Sequence, residues 1–64
     1  MEHEEEIKQL LDSLEESRII AGAIFEKYAN DCDYDRAVLF QLIRDSLEQQ
    51  KIAAENMLND YRVD

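Results

Sequence analysis

Asn30-Asp31-Cys32-Asp33 is the short polar stretch on which the fold turns. Asparagine and aspartate side chains bond to nearby backbone groups and so compete with a continuing helix. The residues on both sides run in helical period, so a helix is expected to stop here and a second to begin. Asn30 is the expected left-handed residue at the end of the first. Asp33 is the expected N-cap of the second, with Asp35 in its first turn facing the positive end of the helix dipole.

Working back from the turn, the apolar positions are Ile7, Leu10, Leu11, Leu14, Ala21, Ile24, Phe25 and Tyr28. Steps of three and four mark one helical face. Ser17 and Arg18 interrupt it, although Arg18 can lay its methylenes on apolar surface. Ile20 and Ala23 form a second, shorter stripe. Ile19 to Phe25 pass without a charge or an amide side chain, and seven consecutive helical residues cover every direction around the axis. That belt is expected to meet more than one neighbour. Gly22, the chain's one glycine, is where another helix is expected to come close.

Forward of the turn, the expected stripe is Phe40, Ile43, Leu47, Gln50, Ala54, Met57 and Tyr61, flanked by Leu39, Ser46, Ala53 and Leu58. Gln50 is then the one buried polar side chain, able to pair with a symmetry mate. The reading is all-α: one domain over 1–64, helix 1 about 3–29, turn 30–33 and helix 2 about 34–61. Two helices of matched length and a short turn must run antiparallel. Facing positions then sum to about 64, with Phe40 opposite Ile24, Leu42 and Ile43 opposite Gly22 and Ala21, and Leu10 and Leu11 opposite Ala53 and Ala54. Large residues would meet small ones.

One seam uses only part of these stripes. Ile20, Ala23, Ile24, Leu39, Leu42 and Leu58 are the expected partner-binding residues, and the hairpin is expected to complete a four-helix bundle with a second copy or with another protein.

The chain has 64 residues, 45% apolar and 36% charged, no proline, and a formal charge of −9. That charge argues against direct binding to nucleic-acid phosphates or to an anionic membrane surface. The acidic surface expected to steer a basic partner is Glu2, Glu4, Glu5, Glu6, Asp12 and Glu16. In their structural role, the first of these charges complement the helix dipole. One cysteine allows no internal disulfide, and the acidic N-terminus is unlike a signal peptide, so the expected setting is cytoplasmic.

No chemical motif survives inspection. Asp31-x-Asp33-x-Asp35 opens like a calcium loop, but Arg36 and Leu42 stand where that loop needs Gly and Glu. His3 and Glu6 lie one helical turn apart without a further ligand set. Cys32 has two aspartate neighbours and no basic residue to activate it. Tyr28, Tyr34 and Tyr61 read as core-capping residues with wet hydroxyls. Accordingly no catalytic residue, metal, cofactor or small-molecule substrate is expected.

In length and hairpin shape the chain resembles Rop-type RNA-binding four-helix bundles. Those present basic and aromatic residues on one helix face, whereas helix 1 here is acidic through Glu16. Tyr34 through Leu47, an aromatic followed by an apolar stripe, resembles the second helix of the YscE-like co-chaperones of type III secretion needle subunits, which implies a small chaperone-like hairpin. The leading expectation is a non-enzymatic protein-interaction module: a regulator, adaptor or chaperone-like subunit. The alternative is an inhibitor or antirepressor, of phage or mobile-element type, that imitates nucleic acid by presenting carboxylates where its target expects phosphates.

Overall fold

The computed structural model describes residues 2–62, with side chains from 3 to 60. Tyr61 and Glu2 therefore lie outside the described side chains. Two helices, α1 (Glu2–Asn30) and α2 (Tyr34–Arg62), each of 29 residues, form a helical hairpin with no strand among the described residues. Its principal extents are 50 × 14 × 10 Å.

The turn is a Schellman closure. The Asp33 amide donates to Tyr28 O (2.9 Å) and the Cys32 amide donates to Ala29 O (3.1 Å). Cys32, not Asn30, takes the left-handed conformation, at φ 59°. Asn30 instead stays within α1, because the Asp31 amide still reaches Lys27 O (3.2 Å). Asp33 is the N-cap: its Oδ1 accepts from the Arg36 amide (3.4 Å), and its carbonyl accepts the first helical bond, from Ala37 (3.0 Å).

In α1 the inward positions are Ile7, Leu11, Leu14, Arg18, Ala21, Phe25 and Tyr28, buried or half-buried. They alternate steps of four and three, the spacing of a coiled-coil seam. In α2 the corresponding series is Ala37, Phe40, Arg44, Leu47, Lys51, Ala54 and Leu58. It shares Phe40, Leu47 and Ala54 with the expected stripe, but α2 is turned so that Arg44, Lys51 and Leu58 replace Ile43, Gln50 and Met57. Those three, and Leu10 on α1, are exposed.

The rotation changes the facing pairs. Ile7, Leu14, Ala54 and Leu58 form the buried cluster, with Leu11 and Leu47 packed on it. Phe40 stacks on Tyr28, centroids 5.7 Å apart. Leu42 and Ile43 are exposed and do not cover Ala21 and Gly22. The neighbour of Gly22 is the Arg44 side chain, whose Cδ would stand 3.5 Å from an added Cβ. So Gly22 admits an arginine stem and not a close helix backbone.

The core is small for its chain. Its buried members are Ile7, Leu14, Ala21, Ala37, Ala54 and Leu58, three of them alanines. No polar side-chain atom is left buried without a partner among the described residues.

Candidate interaction surface

The middle of the seam is ionic, which gives the hairpin two unlike faces. Arg18 donates to Glu15 through Nη2 (2.6 Å) and Nε (3.3 Å). Crossing to α2, Lys51 Nζ lies 2.8 Å from Glu15 and Arg18 Nε lies 3.4 Å from Glu48. Glu55 sits 4.0 Å from Lys51. The hydrogen bonds from Arg18, and then that from Lys51, lower the Glu15 carboxyl from its ordinary 4.5 to about 2. An open pocket of about 260 Å³ lies here, lined by Arg18, Arg44, Asp45, Glu48 and Lys51. Cations and carboxylates are mixed in it, so it offers no single-sign site for an anion or a metal.

These cross-helix pairs put the Glu15 flank of α1 and the Glu48 flank of α2 on one side of the hairpin. The other flank of each helix therefore falls on the opposite side. At 100° per residue that side carries Leu10, Ser13, Ser17, Ile20 and Ile24 from α1. From α2 it carries Leu39, Ile43, Ser46, Gln50, Ala53 and Met57. None of these is charged, and the same series run on at their ends to Glu6 and Lys27 on α1 and to Arg36 and Asp60 on α2. Ile24 is half-buried and the rest are exposed, Leu39 at 57%, Ile20 at 52% and Ile43 at 46%. At the middle of the face Gln50 Nε2 donates to Ser46 Oγ (3.1 Å).

Of the expected partner-binding residues, the structure gathers Ile20, Ile24 and Leu39 on this face. Ala23 and Leu42 are exposed but point away, on the backs of α1 and α2. Leu58 is a correction: at 7% exposure it belongs to the core cluster and is closed to a partner. Sequence reading missed Leu10, Ile43 and Met57 by assigning them inward. The signal was present in the runs 10-13-17-20-24 and 39-43-46-50-53-57, which step by three and four and contain no charged residue.

The acidic positions do not form one patch. Glu5, Asp12 and Glu16 are exposed along the back of α1, and Glu6 is exposed with its Oε2 3.3 Å from His3 Nδ1. Glu4 is half-buried, 3.7 Å from Lys8 Nζ. Among the described residues no group of three or more His, Cys, Asp or Glu is placed to hold a metal ion, and no helix is long and apolar enough to cross a membrane. Cys32 is exposed and accepts from the Tyr34 hydroxyl (3.5 Å).

No protein-family model, curated protein or solved structure matches the chain.

Proposed function

We propose that this chain is a non-enzymatic protein–protein interaction module, a small acidic regulator, adaptor or chaperone-like subunit that docks by helix packing through its uncharged face. One observation carries this reading. The seam between the two helices contains Arg18, Arg44 and Lys51, while a longer uncharged stripe with Leu10, Ile20, Leu39, Ile43 and Met57 is turned outward. A hairpin that stands alone leaves these outward apolar side chains in water, where they contribute no burial. The observed orientation leaves that stripe open to a further layer of helices, which supports docking of the kind found in a four-helix bundle. Ser13, Ser17, Ser46 and Gln50 keep the face wettable before docking. The expected cytoplasmic setting belongs to the same reading, since a lone cysteine draws nothing from an oxidising compartment.

The test is differential capture by tagged chain, either of another protein or of untagged copies of itself. Leu39→Lys combined with Ile43→Lys should abolish capture, whereas Ile52→Lys, on the other side of the hairpin, should retain it. Equal capture by both variants, each verified helical by circular dichroism, would overturn the reading.

A second reading has one observation in its favour: Glu5, Asp12 and Glu16 line the exposed back of α1. A carboxylate ridge of this kind could occupy a DNA- or RNA-binding protein in place of phosphates. Replacing all three by glutamine, with capture measured against competing duplex DNA, discriminates it from the first.

A further inference from the structure

We infer that the uncharged face takes a basic amphipathic helix of a partner protein, laid parallel to α1 with its lysines and arginines on the α1 flank. The inference rests on the docking role of that face and adds the partner's chemistry and direction.

The chemistry follows from the charge beside the face. One row further round α1, at 100° per residue, Glu5, Asp12 and Glu16 are exposed in line. None of the three has a side-chain ion pair or hydrogen bond among the described residues. The matching row of α2 is Leu42, Gln49 and Asn56, which carries no charge. Lysine and arginine stems of a docked helix can rest on the apolar face while their heads reach the carboxylate row. The chain's own cations are engaged elsewhere. Lys8 lies against Glu4, Arg36 against Asp33, and Arg18 and Lys51 against Glu15. Lys27 is the one exposed lysine or arginine without an ion pair among the described residues. A second copy therefore brings no row of cations to set against the three carboxylates, whereas a basic helix does.

The direction follows from the two ends of the face. Its series run out at Glu6 and Asp60 near the termini, and at Lys27 and Arg36 near the turn. Arg36 is shared with Asp33, so Lys27 supplies the unshared positive charge at the turn end. A helix carries partial positive charge at its N-terminus and partial negative charge at its C-terminus. Laid parallel to α1, the partner helix sets its positive end by the carboxylates and its negative end by the cations. Laid the other way, it meets like charge at both ends. Runs 10–24 and 39–57 extend ~21 and ~27 Å at ~1.5 Å per residue, so the helix that fills the face has about 14–18 residues.

The probe is a synthetic helical peptide of about 18 residues, with leucines in steps of three and four and lysines beside them. Its binding to the full chain is followed by fluorescence anisotropy at low salt, where charge pairs are least screened. It should bind at least tenfold tighter than the same peptide with glutamates for lysines. Glu5→Gln, Asp12→Asn and Glu16→Gln together should weaken it about tenfold, the effect of three exposed ion pairs. Glu26→Gln, Asp31→Asn and Glu55→Gln, which remove as much charge outside that row, should weaken it much less. Ile20→Gln with Ile43→Gln should abolish binding. A nitroxide on the exposed Cys32 should broaden the NMR signals of the peptide's C-terminal residues and spare its N-terminal ones.

Equal effects of the two charge-removing triples, or broadening at the peptide's N-terminal end, overturn the inference. So does equal binding of the lysine and glutamate peptides; if Ile20→Gln with Ile43→Gln still abolishes it, the docking role stands and only the basic partner falls. A dimer in sedimentation equilibrium that Ile20→Gln with Ile43→Gln dissociates gives the face to a second copy and also overturns the inference. Absence of peptide binding does so too, and the capture test with Leu39→Lys and Ile43→Lys then decides the docking role separately.

Discussion

Cys32 pays a conformational penalty that glycine would not. A non-glycine residue in the left-handed region costs roughly 1–2 kcal/mol, and Cys32 holds φ 59° so that the Asp33 and Cys32 amides can close the end of α1. Cys32→Gly should stabilise the fold by about 1 kcal/mol in urea denaturation, and a loss of stability would mean that the side chain's contact with Tyr34 matters more than the backbone. Gly22 is the reverse case. It sits mid-helix with the flexible Arg44 stem 3.5 Å from where a Cβ would go, an ordinary contact distance. Gly22→Ala should therefore raise stability by up to about 1 kcal/mol. A destabilised Gly22→Ala would show that the Arg44 stem cannot yield there.

Between the helices, the ionic middle of the seam makes stability depend on acid. The Glu15 carboxyl is held at about 2 against an ordinary 4.5, first by Arg18 and then by Lys51. A group whose folded value lies below its unfolded one contributes fully above the unfolded value, and the contribution fades as pH falls towards the folded one. Urea stability should thus drop between pH about 4.5 and about 2 more steeply in the native chain than in Glu15→Gln. Equal slopes would locate the acid sensitivity elsewhere. The same ion pairs explain why the inward stripe of α2 was misread. Residues 40, 47 and 54 belong to both candidate stripes, and hydrophobicity alone favours the one with Ile43 and Met57. Arg44 and Lys51 could enter the seam because their stems are apolar, with Glu15 and Glu48 within reach of Lys51 and Arg18.

For the whole molecule, buried and outward leucines should behave differently. Leu58→Ala removes a member of the central cluster and should cost about 2–5 kcal/mol at every protein concentration, the usual range for a leucine truncated in a core. Leu39→Ala, exposed in the hairpin, should leave the dilute melting temperature nearly unchanged, since it removes no buried contact of the hairpin. Thermal melts followed by circular dichroism over a dilution series separate the two. A concentration-independent loss for Leu39→Ala would place it in the hairpin's own core.

Much of the architecture could be read from residue order. The apolar steps of three and four, the absence of proline and the Asn30–Asp33 break dictated two helices of matched length, and a turn that short allows only an antiparallel return. The Asp33 cap followed from local hydrogen bonding, which depends on neighbours in the chain. The uncharged runs that make the outward face were also present in the order of residues. Which run turned inward was decided only in three dimensions. Two stripes of α2 lie a few tens of degrees apart and share Phe40, Leu47 and Ala54, so periodicity fits both. The choice depends on Glu15 reaching Lys51 and Arg18 reaching Glu48 across the seam, and on Leu58 closing over Ile7 and Leu14. These are contacts between residues thirty or more positions apart, and their energy exists only once the two helices are side by side.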